Sequence, residues 1–163
     1  MTFSVVPIAE EHIDGFRAAV DSVARERRYL SLLEAPPPEE SRKFVAQNIR
    51  KACPHYVALV AGQVVGWCDA LPHWQPTRAH TAVLGLGVLA AFRSRGIGTA
   101  LLRATLERAR AAGLTRIELT VRENNQRVAA LYERFGFVRE GIQRNAIRVD
   151  GKYESLLAMA LIL

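Results

Sequence analysis

Apolar positions along the chain change their spacing several times, and each change marks an element. Residues 2–8 are short and rich in β-branched side chains, which predicts a first strand. Ile13, Phe16, Val20 and Val23 then recur at helical spacing, with Asp14, Arg17 and Asp21 opposite, and predict a helix over 10–33. The run Ala35-Pro36-Pro37-Pro38 breaks it. A second helix is expected over 39–52, with Phe44, Val45 and Ile49 as its apolar stripe. Residues 55–61 and 63–71 read as strands joined by a tight turn at Gly62. A loop carrying Trp74 leads into an apolar strand over 80–89. Gly85 and Gly87 inside that strand predict a bulge or a close backbone approach.

The second half is patterned as clearly. Ile97, Leu101, Leu102, Leu106 and Ala109 make the inward face of a helix over 97–112, stopped at Gly113. Residues 115–121 alternate as a strand. A short helix follows the cap candidates Asn124 and Asn125 and ends at Gly136. Strands over 137–149 and 153–163 are joined at Asp150-Gly151, a type I′ hairpin signal. The order β-α-α-β-β-β-α-β-α-β-β, without repeat or shift in composition, reads as one α/β (α+β) domain over 1–163.

Composition narrows the partners. Half of the 163 residues are hydrophobic and 23% are charged, as in a globular domain with a real core. The net charge of +6 favours a polyanionic partner. The 19 Arg and three Lys are scattered among acids, without helix-turn-helix punctuation, so no nucleic acid is expected. The apolar run over 81–92 is about a dozen residues and no uncharged run reaches the roughly 20 of a membrane span, and the N-terminus lacks a signal pattern. No membrane partner and a cytoplasmic location are therefore expected. Cys53 and Cys68, with no His pair near them at ligand spacing, predict neither a disulfide nor a metal site.

A phosphate-rich ligand is another such polyanion, and one segment fits it. The strand over 80–89 runs into Arg93-Ser94-Arg95-Gly96-Ile97-Gly98-Thr99 and a strong helix. Unpaired amides at a helix N-terminus and the helix dipole favour an anion there, glycines allow close approach, and Arg93 and Arg95 add charge. A Walker loop would need a lysine after its glycines, and a dinucleotide fingerprint a third glycine where Leu101 stands.

A second segment, residues 119–137, lies about two dozen residues further on. Arg93, Gly96 and Gly98 match Arg/Gln-x-x-Gly-x-Gly/Ala, and Asn125, Leu131, Tyr132, Gly136 and Phe137 match Asn-x-x-Ala-x-x-Leu-Tyr-x-x-x-Gly-Phe, with Val128 replacing the alanine. With both motifs in order, the chain resembles the GCN5-related N-acetyltransferase (GNAT) superfamily along its whole length. Gly66-Trp67-Cys68-Asp69, Glu140-Gly141 and Asp150-Gly151-Lys152-Tyr153 resemble, more loosely, a bacterial subgroup that includes amino-acid N-acetyltransferases.

The resemblance implies the GNAT fold: a mixed, mostly antiparallel seven-stranded sheet, splayed between strands 4 and 5 by a bulge near residues 85–88, with four flanking helices. It implies direct acetyl transfer from acetyl-CoA to a primary amine, without a metal. Val88 and Leu89, residues Arg93, Ser94, Arg95, Gly96, Ile97, Gly98 and Thr99, and Asn125 and Tyr132 would bind the cofactor. The Val88 amide would polarise the thioester carbonyl, and the Tyr132 phenol would protonate the departing thiolate. Residues 81–89 hold no acid to accept the amine's proton, so Asp69 is the first candidate, followed by Glu26, Glu34, His80 and His73. Tyr29, Glu34, Trp67, Trp74 and Tyr153 are the expected acceptor-binding residues, for a small amino-acid-like amine. A protein or peptide acceptor, or an acyl-CoA sensor without activity, are the alternatives. The apolar run over 156–163 is read as a strand buried on both faces or a homodimer interface.

Overall fold

The computed structural model describes every residue, Met1–Leu163. Its elements are β1 (Ser4–Pro7), α1 (Ile13–Arg25), α2 (Pro38–Arg50), β2 (His55–Val60), β3 (Gln63–Pro72), β4 (Thr81–Val88), α3 (Ile97–Ala111), β5 (Arg116–Arg122), α4 (Gln126–Arg134), β6 (Val138–Val149) and β7 (Lys152–Ile162). Single 3-10 turns lie at Glu10–His12, Pro76–Arg78 and Ala90–Phe92. The seven strands form one sheet in the order β1-β2-β3-β4-β5-β7-β6, antiparallel throughout except for the parallel pair β4–β5. Both hairpins predicted from sequence close on two positive φ angles, at Ala61-Gly62 and Asp150-Gly151, the geometry of a type I′ turn.

The sheet separates two cores. On one face α1 and α2 bury Ile13, Phe16, Val20 and Val45 against Val57, Val64 and Trp67. On the other, α3 and α4 bury Ile97, Leu101, Leu102 and Ala129 against Cys68, Leu84, Ile117, Leu119 and Met159. The apolar end of the chain is explained by its place: β7 runs between β5 and β6 and buries Leu157, Met159, Ala160 and Leu161. Cys53 and Cys68 are both free, with Cys68 fully enclosed.

Two expectations are corrected. The helix predicted over 10–33 ends at Arg25. Arg27 takes a left-handed φ of 61°, and the carbonyls of Arg27 and Leu30 accept from the Arg122 side chain instead of from a following helical turn. There is also no bulge near residues 85–88. The β3–β4 register runs without a shift from Gly66↔Val88 to Pro72↔Ala82. The splay arises instead because β5 diverges: it pairs with β4 only at Thr81↔Arg116, Ala82↔Ile117 and Val83↔Glu118.

Candidate active site

The divergence of β5 exposes one edge of β4, and the ladder on its other side determines which groups that edge offers. The Leu89 amide donates to the Val65 carbonyl at 2.8 Å, and the His73 amide to the Thr81 carbonyl at 3.1 Å. These bonds set the phase: odd-numbered residues of β4 bond to β3, and Leu84, Leu86 and Val88 turn their N–H and C=O groups towards the gap. Beyond Val83 no strand meets that edge. The Val88 carbonyl is taken by Arg93 Nε at 2.9 Å, and its amide faces the gap.

A cavity of about 660 Å³ occupies this gap. At one end, the turn after β4 leads into α3, whose N-cap Gly96 has φ 83°. None of the amides of residues 94–99 bonds to an acceptor in the protein; the first to do so is Ala100, to Gly96 at 3.0 Å. Such a row of aligned donors at a helix N-terminus is suited to an anion such as a diphosphate. Arg127, in the first turn of α4, reaches over and hydrogen-bonds Ser94 Oγ. Asn125 caps α4, its Oδ1 accepting from the Val128 amide at 3.4 Å, and it also lines the cavity.

The opposite wall is the connection after α1, where Tyr29, Leu30 and Ser31 line the cavity. Three arginines tie it down. Arg93 makes two bonds to the Glu26 carboxylate, at 2.8 and 2.5 Å, with its guanidinium 4.7 Å from the Tyr29 ring centre. Arg122, only 3% exposed, donates to the Arg27 carbonyl at 2.8 Å, the Leu30 carbonyl at 2.7 Å and Glu154 at 3.2 Å. Arg27 in turn forms a two-pronged pair with Asp150 in the β6–β7 turn, at 2.6 and 3.1 Å.

Two ionisable groups sit where chemistry could occur. Tyr132 lines the cavity and is nearly enclosed, and burial pushes its phenol well above the usual range. It is therefore a neutral O–H donor at any working pH. Asp69 lies on the other face of the sheet, directly across from Gly85. A Cβ at Gly85 would stand 3.3 Å from Asp69 Oδ1, so this carboxyl lies behind the Gly85 backbone, which lines the cavity, while Asp69 itself does not line it. Burial alone raises Asp69 to about 7, the range in which a carboxylate can take up a proton from an amine.

The structure brings Val88, Arg93, Ser94, Gly96, Gly98, Thr99, Asn125, Tyr132 and Tyr29 to the cavity. Others it places elsewhere. Leu89 packs into both cores, and Ile97 is enclosed under α3, contributing its backbone only. The Arg95 guanidinium lies 5.9 Å from the Phe92 ring centre and 3.5 Å from Met1 Sδ, and Arg95 does not line the cavity. Trp67 does not wall the acceptor site: it is 4% exposed and meets Phe16 edge-on in the core. Trp74 is 85% exposed in the β3–β4 connection, at the end of β4 away from the anion cradle. Glu34 is exposed and pairs with Arg25, while Tyr153 lies under Arg148 beside a smaller groove with Glu123 and Glu154. Among the other base candidates, Glu26 is held by Arg93, His73 bonds Glu118 at 2.9 Å at the far end of β5, and His80 is exposed there. Sequence reasoning missed Arg122 and Arg127. Arg127 could have been found, because it lies in the first turn of a helix whose cap was already assigned to the site.

Comparison with known proteins identifies the family. The model of the acetyltransferase (GNAT) family matches residues 19–137. An L-amino acid N-acetyltransferase of Escherichia coli is 29% identical over 135 residues, 82% of this chain and 83% of that protein. An N-alpha-acetyltransferase of Mycobacterium tuberculosis is 38% identical over 98 residues, 60% of each chain. Among solved structures, a phosphinothricin acetyltransferase from Sinorhizobium meliloti in complex with acetyl-CoA superimposes with a TM-score of 0.93 at 18% identity, covering 100% of this chain and 89% of that one. No helix here is long and apolar enough to cross a membrane.

Proposed function

The chain belongs to the acetyltransferase (GNAT) family and is an acetyl-CoA-dependent N-acetyltransferase, and from that premise we propose that it acetylates the primary amine of a small, amino-acid-like acceptor by direct transfer with both substrates bound. The observation that carries this reading is the continuity of the cavity. It runs from the unpaired amides of residues 94–99, past the free edge of β4 and Tyr132, to the wall made by Tyr29 and Leu30. Likeness to an L-amino acid N-acetyltransferase over most of both chains supports the acceptor class.

In this reading the amides of residues 94–99 hold the diphosphate, and the Val88 amide donates to the thioester carbonyl as charge develops on its oxygen. The Tyr132 hydroxyl holds a proton for the departing thiolate. Asp69 takes the acceptor's ammonium proton through water beside Gly85. A peptide N-terminus is the second acceptor class, favoured by the 38% identity to an N-alpha-acetyltransferase. We place the enzyme in the cytoplasm.

The test is a thiol-release assay with acetyl-CoA against amino acids, polyamines, aminoglycosides and short peptides, with acetyl-CoA calorimetry on the same preparation. Turnover confined to amino acids is expected. Turnover with peptides alone selects the second class. Failure to bind acetyl-CoA overturns the assignment of the cavity.

A further inference from the structure

Behind Asp69 stands a buried polar group with no role in the steps above. His55 is fully enclosed and lies directly across the β2–β3 ladder from Asp69. Its Nδ1 is 3.2 Å from Asn48 Nδ2 of α2. With the Asn48 amide assigned in this orientation its nitrogen donates, so Nδ1 accepts and the ring proton resides on Nε2. That Nε2 has no hydrogen-bond partner and is 3.9 Å from Asp69 Oδ2. An orphaned buried donor is costly, and the Asp69 carboxyl is the polar group that the structure places beside it.

We infer that His55, oriented by Asn48, is the donor that receives the Asp69 carboxylate when it ionises, and so positions it to accept the acceptor's proton. The inference rests on Asp69 being the base. At 3.9 Å the two groups are too far apart for a hydrogen bond. A small rotation of the Asp69 side chain closes the gap once the carboxylate is charged. The rest of the surroundings offer no substitute. Phe16 of α1 and Phe44 of α2 pack on the imidazole at 4.9 and 5.9 Å. The other titratable groups near the carboxyl are Cys53, Cys68 and Tyr132, each held above its ordinary value by burial and hence uncharged at neutral pH. Burial lowers His55 to about 4, so it is a neutral donor, not a cation, wherever Asp69 titrates.

The test is the pH dependence of kcat/KM in the full-length enzyme with its best acceptor. His55→Phe keeps the ring and removes the donor, while His55→Gln places an amide nitrogen near the position of Nε2. The ascending limb of His55→Phe is expected to move to higher pH, lowering activity on the acid side about tenfold for each pH unit moved. The limb of His55→Gln is expected to stay near that of the parent. Coincident limbs for His55→Phe and the parent overturn the inference. Circular dichroism and acetyl-CoA affinity monitor folding. Should His55→Phe not fold, Asn48→Leu, which frees Nδ1 and lets the proton leave Nε2, gives the same reading by an upward shift, and an unmoved limb refutes it. Asp69→Asn separates the two layers. If it keeps the parent's limb, Asp69 is not the base. If it loses the limb while His55→Phe does not move it, only the role of His55 fails.

Discussion

Gly87 is where the sheet has least room, and a single methyl group there has a calculable effect. An added Cβ would stand 2.2 Å from Cη2 of Trp67 and 2.6 Å from both Cζ2 and Cζ3. Carbon atoms in contact keep roughly 3.5–4.0 Å apart, so more than about 1 Å must be found. The indole cannot yield cheaply, being 4% exposed and set edge-on against Phe16 at 6.0 Å. Nor can β4, because Gly87 lies directly opposite Trp67 at a hydrogen-bonded position of the ladder. Overpacking typically costs about 1–3 kcal/mol, and with the ladder strained Gly87→Ala belongs at the upper end, about 3 kcal/mol. Urea unfolding reads this as a lower midpoint at constant slope. Pairing the change with Trp67→Leu provides the control: the double variant is expected to be at least about 1 kcal/mol more stable than the two single effects added together. Acetyl-CoA affinity should fall in Gly87→Ala, because the free edge of β4 moves with its backbone. A Gly87→Ala protein within about 0.5 kcal/mol of the parent would refute the argument.

The remaining expectations concern the ionisable groups. Asp69 is protonated in both the folded and unfolded chain below about pH 4, whereas above pH 7 the fold must hold a buried charge. Stability due to this group is therefore present in acid and lost as pH rises from 3.8 to about 7, a span worth at most about 4 kcal/mol. Urea unfolding at a series of pH values should show Asp69→Asn gaining on the parent across that window and levelling off above it; a constant difference would contradict the buried-charge account. Tyr132→Phe should lower kcat by about a hundredfold or more at unchanged acetyl-CoA affinity, measured by thiol release and calorimetry, and an undiminished kcat would remove the phenol as acid. Arg122→Lys keeps the charge but cannot span Arg27, Leu30 and Glu154 together. The acceptor KM should rise about tenfold or more while acetyl-CoA binding holds, since each charge-assisted bond is worth about 1.5–3 kcal/mol.

What could be read in the sequence follows the range over which each signal acts. The anion cradle, the Asn125 cap and Tyr132 are specified within short stretches where spacing along the chain is spacing in space. The seven strands and four helices were legible for the same reason. Trp67 and Trp74 were not, because an aromatic's site depends on which sheet face it joins and at which end. Trp67 points with Gly87 into the α1 core, a register relation that no local pattern contains. The early end of α1 was also hidden. Leu30, Leu32 and Leu33 continue an apolar pattern, yet Arg122, some 90 residues on, claims the carbonyls that a longer helix would have used.

Those same carbonyls make this wall of the cavity unequal in its fastenings. On the inner side it hangs from Arg122, shielded from solvent. On the outer side it hangs from Arg27 and Asp150, whose side chains are 41% and 68% exposed. Dissolved ions screen an exposed pair and barely touch a buried one. Ionic strength therefore acts on this wall as a graded control, slackening its outer rim while the inner attachment holds. A brine-treated enzyme would lose the definition of its entrance before it lost the floor of its site.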